Sequence, residues 1–121
     1  MTASRILLGA VIAAAIWGKG GSLVQQAPAS ASAHRNPMAE DTSAKMAGGK
    51  LYARECASCH GAMGEGSGKA PPLARPDIRR AAPGSLFWVL RNGALRHGMP
   101  SFAHLPEAQR WQIVTFLQKD K

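Results

Sequence analysis

Hydrophobic residues fall into blocks of different period along this chain. The first block, Ile6 to Trp17, is an unbroken apolar run behind a short positive start, Met1 to Arg5. It has the length of a secretory-signal core and falls short of the ~20 apolar residues that a spanning helix needs. Gly18-Lys19-Gly20-Gly21 ends it. The run has no polar face, which does not suit a helix of a small fold. Ala29-Ser30-Ala31 and Ala31-Ser32-Ala33 then offer the small-x-small pattern that signal peptidase reads, although they lie far from the apolar run. Residues 1–33 are therefore expected to be a signal peptide or an N-terminal membrane anchor with its linker. Without cleavage, residues 6–17 would tether the rest to a membrane. Either way the remainder lies outside the cytoplasm.

From Ser22 to Thr42 the chain is rich in Ala, Ser, Pro and Gln and shows neither helical nor strand period. It reads as spacer, with 34–42 a flexible linker. The expected folded domain is 43–121. It contains three helical patterns and no convincing strand. The first spans roughly Thr42 to Ala57, with Asp41, Thr42 or Ser43 available as cap and Met46, Leu51 and Tyr52 as its apolar side. Gly48 and Gly49 each cost about 1 kcal/mol inside a helix relative to alanine, which points to a close helix crossing, with fraying as the alternative. The second spans roughly Ser85 to Arg91. Leu86, Phe87, Trp88, Val89 and Leu90 make it apolar nearly all round, which predicts burial. The third follows Leu105-Pro106, with Pro106 and Glu107 suiting a first turn. Trp111, Ile113, Val114, Phe116 and Leu117 carry the helical spacing through to Gln118. Between the first two lies Gly61 to Ala82, long for a structureless connection.

A domain this small commonly needs a staple. The chain has two cysteines, both in one short motif, which favours a cofactor over a disulfide framework. The formal net charge is +8; Arg5 and Lys19 supply two of these, leaving +6. The basic residues are scattered and not interleaved with stacking aromatics, which argues against nucleic acid and for a basic face meeting an acidic partner.

Cys56-Ala57-Ser58-Cys59-His60 has the C-x-x-C-H spacing of covalent haem attachment. Two thiols reach two vinyl groups on one porphyrin edge, and the following imidazole reaches the iron. His60 is thus the candidate proximal ligand, and its Nδ1–H needs an acceptor to fix the tautomer. A thioredoxin-like site would want the cysteines at a helix start after a strand. A structural zinc site would want two more ligands, and no second cysteine pair exists. The sixth ligand must come from the opposite face. Met99, in Gly98-Met99-Pro100, is the candidate; a thioether raises the reduction potential, and His97 is its rival. Met38, Met46 and Met63 read as gap-fillers or exposed side chains. His34 falls in the spacer and His104 on the surface.

Together these residues resemble the class I monohaem cytochromes c, close to the short bacterial periplasmic type, over about Met46 to Gln118. Gly48 and Tyr52 match the family's N-terminal helix, and Ile113 and Phe116 the C-terminal helix that crosses it. Cys56, Cys59 and His60 match the haem motif. Pro71-Pro72-Leu73 is similar to the Pro-x-Leu segment whose proline carbonyl accepts the proximal His Nδ1–H, with Pro71 the better match. Met99-Pro100 matches the distal loop. The resemblance implies an all-α fold of about three to four helices around one covalent haem c. It implies Trp88, Leu90 and Phe102 as pocket walls and Arg75 as a propionate partner, with Arg79, Arg80 and Trp111 as weaker candidates. It implies a periplasmic one-electron carrier, monomeric and not an enzyme, that serves redox partner proteins. A tethered haem subunit of a dehydrogenase or terminal oxidase is the alternative, as is a gas- or peroxide-reactive protein should Met99 not bind. The segment Ser85–Phe102 also resembles cytochromes that serve periplasmic quinoprotein dehydrogenases.

Overall fold

The computed structural model describes residues 23–119. The apolar run 6–17 lies outside the described residues. Six helices follow in order: α1 (Ala29–Ser32), α2 (Thr42–Glu55), α3 (Ala57–His60), α4 (Pro76–Arg79), α5 (Pro83–Asn92) and α6 (Glu107–Leu117). Single 3-10 turns occupy Leu23–Gln26 and Leu95–His97. Among the described residues the one extended pairing is an isolated bridge between Ala94 and Met99.

Two long helices set the frame. The Asp41 carboxylate accepts the Ala44 N–H at 3.0 Å and starts α2, a cap worth about 1 kcal/mol. Ala44, Gly48, Leu51 and Tyr52 are the buried residues of α2, an i, i+4, i+7, i+8 stripe on one face. That face crosses α6. A Cβ on Gly48 would lie 1.9 Å from the Gln112 carbonyl oxygen, so the two backbones touch there. One turn on, the Tyr52 and Phe116 rings meet at 5.4 Å. Ile113 and Val114 of α6 are fully buried in the core with Leu51, Ile78, Leu86, Leu90, Phe102, Leu105 and Trp111.

Four expectations need correction. Met46 is 65 % exposed and not part of the apolar side of α2. It stands two residues from Ala44, about 200° around the helix from the buried stripe. α5 is not buried all round: Leu86, Val89 and Leu90 are buried, but Phe87 and Trp88 are half-buried. The Gly61–Ala82 connection carries a helical turn beyond the three patterns expected. Arg75-Pro76-Asp77 opens the single turn α4, with Pro76 at its start and Asp77 in its first turn, and Ile78 drops into the core. Gln118 then caps this region, its amide donating to the carbonyls of Ile78, Arg79 and Ala81.

The segment expected as spacer is the fourth. Residues 23–40 lie against α5 and α6, with Val24 and Met38 packed on the core. The Asn36 amide donates to Thr115 Oγ1 at 2.8 Å, and Thr115 Oγ1 reaches the Met38 carbonyl at 3.2 Å. Backbone carbonyls and one asparagine hold the segment, so no apolar period is needed.

Candidate haem site

Cys56 caps the end of α2, its N–H donating to the Tyr52 carbonyl, and α3 restarts at Ala57 to carry Cys59 and His60. Cys56 is buried and Cys59 half-buried, and no disulfide joins them. Burial, reinforced by Glu55 and Cys59, pushes the Cys56 thiol up to about 11, so in the unloaded chain it is held neutral.

The chain after the motif folds back on it. His60 Nδ1 lies 2.8 Å from the Pro71 carbonyl oxygen. With Nδ1 as the donor, Nε2 is the unprotonated nitrogen, free to coordinate. The return loop has its own scaffold. The Gly66 N–H donates to the His60 carbonyl, and the Gly64 carbonyl accepts from Leu73 and Ala74. The Ser67 hydroxyl donates to the Cys59 carbonyl at 2.6 Å, and the Tyr52 hydroxyl to the Gly61 carbonyl at 2.6 Å. Burial, foremost, raises the Tyr52 phenol above its ordinary value. These four anchors lay outside the sequence expectations. Tyr52 was visible only as a helix-crossing residue, and backbone acceptors leave no signature.

Met99 sits in a turn fastened to the end of α5. Ala94 and Met99 exchange both backbone hydrogen bonds, at 2.9 and 3.1 Å. The Ser101 hydroxyl donates to the Arg91 carbonyl at 2.5 Å, and the Phe102 N–H to the Leu90 carbonyl at 2.8 Å. Gly93 (φ +68°) makes this possible, since a Cβ there would lie 2.7 Å from the backbone of Pro100 and Ser101. Met99 is half-buried and packs on the core. His97, the rival ligand, is exposed; it lines an open cleft of about 600 Å³ together with residues 65–72.

The remaining expected residues divide. Leu73 packs against the edge of the core, and Leu90 and Phe102 are within it. Trp88 is half-buried on α5. Arg75 is not free for a propionate in this geometry, because Asp77 holds its guanidinium through two contacts. That hydrogen bond lowers the Asp77 carboxyl and raises Arg75. Trp111 is buried and stacked on Phe87 at 4.0 Å, with the Arg110 guanidinium 4.7 Å from the Phe87 ring centre.

This arrangement fits a covalent haem. Two thiols and an imidazole share one turn, the imidazole is oriented with Nε2 open, and a thioether stands in a rigid turn elsewhere. Large apolar side chains, Phe87, Trp88, Leu73 and Met99, are only partly covered.

Comparison with known proteins agrees. The profile of the family described as cytochrome c oxidase, cbb3-type, subunit III, matches residues 43–117. Among solved structures, cytochrome CL from the marine methylotrophic bacterium Methylophaga aminisulfidivorans MPT is similar at 26 % identity and a TM-score of 0.61, over 70 % of this chain. The chain spans 58 % of the length of that protein. No curated protein sequence matches. The chain belongs to the cbb3-type subunit III family and to the monohaem cytochromes c, whose covalent haem c fits its single Cys56-x-x-Cys59-His60 motif.

Proposed function

We propose that His60 Nε2 and Met99 Sδ are the axial ligands and that the protein is an exported one-electron carrier, not an enzyme. The His60–Pro71 hydrogen bond carries this reading. It holds the ring in one tautomer and one orientation, which is what a permanent ligand requires. When bound, the haem supplies a one-electron couple. The chain does the rest. Pro71 fixes the imidazole, the Ala94–Met99 pairing fixes the thioether, and two protein ligands leave no iron position open to substrate. The half-covered Trp88 would help wall the haem off from water. Lys69 in the cleft and the exposed Arg91 and Arg96 give the surface a basic character that suits an acidic redox partner. The interface would be small and transient and the carrier a monomer. Periplasmic export follows from the sequence of residues 1–33.

The test is the ferric spectrum of the purified holoprotein. A weak far-red band marks thioether ligation; it should be present in the wild type and absent in Met99→Ala, with the pigment still attached after denaturation in both. A Met99→Ala spectrum identical to wild type would remove Met99 from the iron.

The family match favours a second reading, a haem subunit of a terminal oxidase held at the membrane. Co-purification with an oxidase from membranes would support it.

A further inference from the structure

Two residues of the helical frame suit the segment that lies on them. Gly84 is buried in the first turn of α5, and a Cβ there would stand 2.0 Å from the Ala31 carbonyl oxygen and 2.8 Å from that of His34. Glycine is costly inside a helix relative to alanine; here its bare backbone lets residues 31–34 lie directly on the helix. Thr115 is a buried polar residue of α6, and its hydroxyl meets the Asn36 amide at 2.8 Å and the Met38 carbonyl at 3.2 Å. Asn36, Pro83 and Thr115 line one small cavity, so the segment, the start of α5 and α6 meet in one place. Residues 31–38 therefore bridge the two helices at the end of α5 remote from Asn92. The other end of α5 carries the Met99 turn. There the Leu90 and Arg91 carbonyls hold Phe102 and Ser101, and Ala94 pairs with Met99. The ten residues of α5 span about 15 Å of unbroken helix, and such a rod passes a tilt at one end to the other.

We propose that residues 31–38 are a strap that positions the Met99 turn from a distance, with Gly84 and Asn36 as the positioning residues. By clamping the first turn of α5 against α6, the strap restrains the local opening that would swing the Met99 thioether off the iron. Gly84 acts through α5 and Asn36 through α6. The segment first read as signal and spacer thus becomes part of what holds the ligand in place. The inference rests on Met99 being an axial ligand, as proposed above.

The experiment expresses the full chain in a host that exports proteins and attaches haem c. The ferric holoprotein is titrated with imidazole, which binds the iron only where the thioether has left it. Wild type, Asn36→Ala, Gly84→Ala and Met99→Ala are compared, with helical circular dichroism recorded at the same temperature. Apparent affinity scales with the open fraction, so both strap variants should bind imidazole about tenfold more tightly than wild type. They should bind it less tightly than Met99→Ala, with helical content unchanged. Lower thermal stability with wild-type imidazole affinity in both variants would mark the segment as packing alone and overturns the proposal. So does an intact mass showing that the haem-bearing chain begins at Ser32 or His34, because the Ala31 carbonyl that Gly84 receives is then gone. If Met99→Ala binds imidazole no more tightly than wild type, the axial assignment has failed and the strap falls with it. Wild-type affinity in the strap variants beside a tightly binding Met99→Ala protein sinks the strap alone.

Discussion

Replacing Gly48 with alanine adds one methyl group where α2 and α6 touch. That carbon would lie 1.9 Å from the Gln112 carbonyl oxygen, 2.6 Å from its carbon and 2.9 Å from Phe116 Cβ. An ordinary contact needs about 3.4 Å, so the helices must part by roughly 1.5 Å; neighbours in a packed core lose a large part of their dispersion attraction over such a gap. Two of the three obstacles are backbone atoms, which no rotamer change relieves. Overpacking costs about 1–3 kcal/mol and occasionally more. The substitution also gains about 1 kcal/mol of helix propensity. With Ile113 and Val114 fully buried beside the crossing, the upper end of that cost applies, and a net loss of about 2 kcal/mol is expected. For a domain of this size that lowers Tm by roughly 8–16 °C. Gly49→Ala is the control. Its Cβ would meet the Phe116 ring edge at 3.2 Å, a side chain that can tilt, so propensity and crowding should nearly cancel. The assay is thermal unfolding of the ferric holoprotein followed by circular dichroism. A Gly48→Ala protein as stable as wild type, or no less stable than Gly49→Ala, would refute the crossing as the keystone of the fold.

Three other outcomes are expected. Tyr52→Phe removes the 2.6 Å bond to the Gly61 carbonyl and should cost about 1 kcal/mol. Because the Tyr52 phenol is raised in the folded state, its stabilisation is complete below the unfolded value near 10 and fades as pH rises through the folded one; denaturation at several alkaline pH values should show this slope in wild type and not in Tyr52→Phe. Gly93→Ala forces a Cβ against Pro100 at a positive φ, and should weaken the far-red thioether band in the ferric spectrum while helical content survives. Arg75→Ala should change stability by less than about 1 kcal/mol, since the Asp77 pair is exposed; with Asp77 lowered, that small term is present above the unfolded carboxylate value and lost as pH falls. A large shift in reduction potential in Arg75→Ala would instead restore the propionate contact.

Much of the frame was legible because its signals are periodic or costly. The stripe through Trp111, Val114 and Phe116 announced α6, and two adjacent glycines in α2 announced a crossing that only Gly48 makes with backbone. The C-x-x-C-H spacing located Cys56, Cys59 and His60, and the partner of His60 Nδ1 in the structure is the carbonyl of Pro71, not that of Pro72. What sequence hid has a different character. α4 is one turn and too short for a period. Met46 looked apolar enough for a core that its helical phase denies it. Residues 23–40 dock through carbonyls, a single asparagine and a glycine on the receiving helix, none of which raises local hydrophobicity. Arg75 was read as a propionate partner by its place after Pro71-Pro72-Leu73, but its guanidinium pairs with an aspartate two residues on, Asp77.

The turn that carries Met99 closes on itself through Ala94 and clasps α5 through Ser101 and Phe102. With Met99 as the ligand proposed above, a sulfur held by such a turn would meet ferrous and ferric iron at nearly the same place, and little nuclear rearrangement would accompany each electron. Speed of exchange would then rest on a loop whose own hydrogen bonds are complete within the chain.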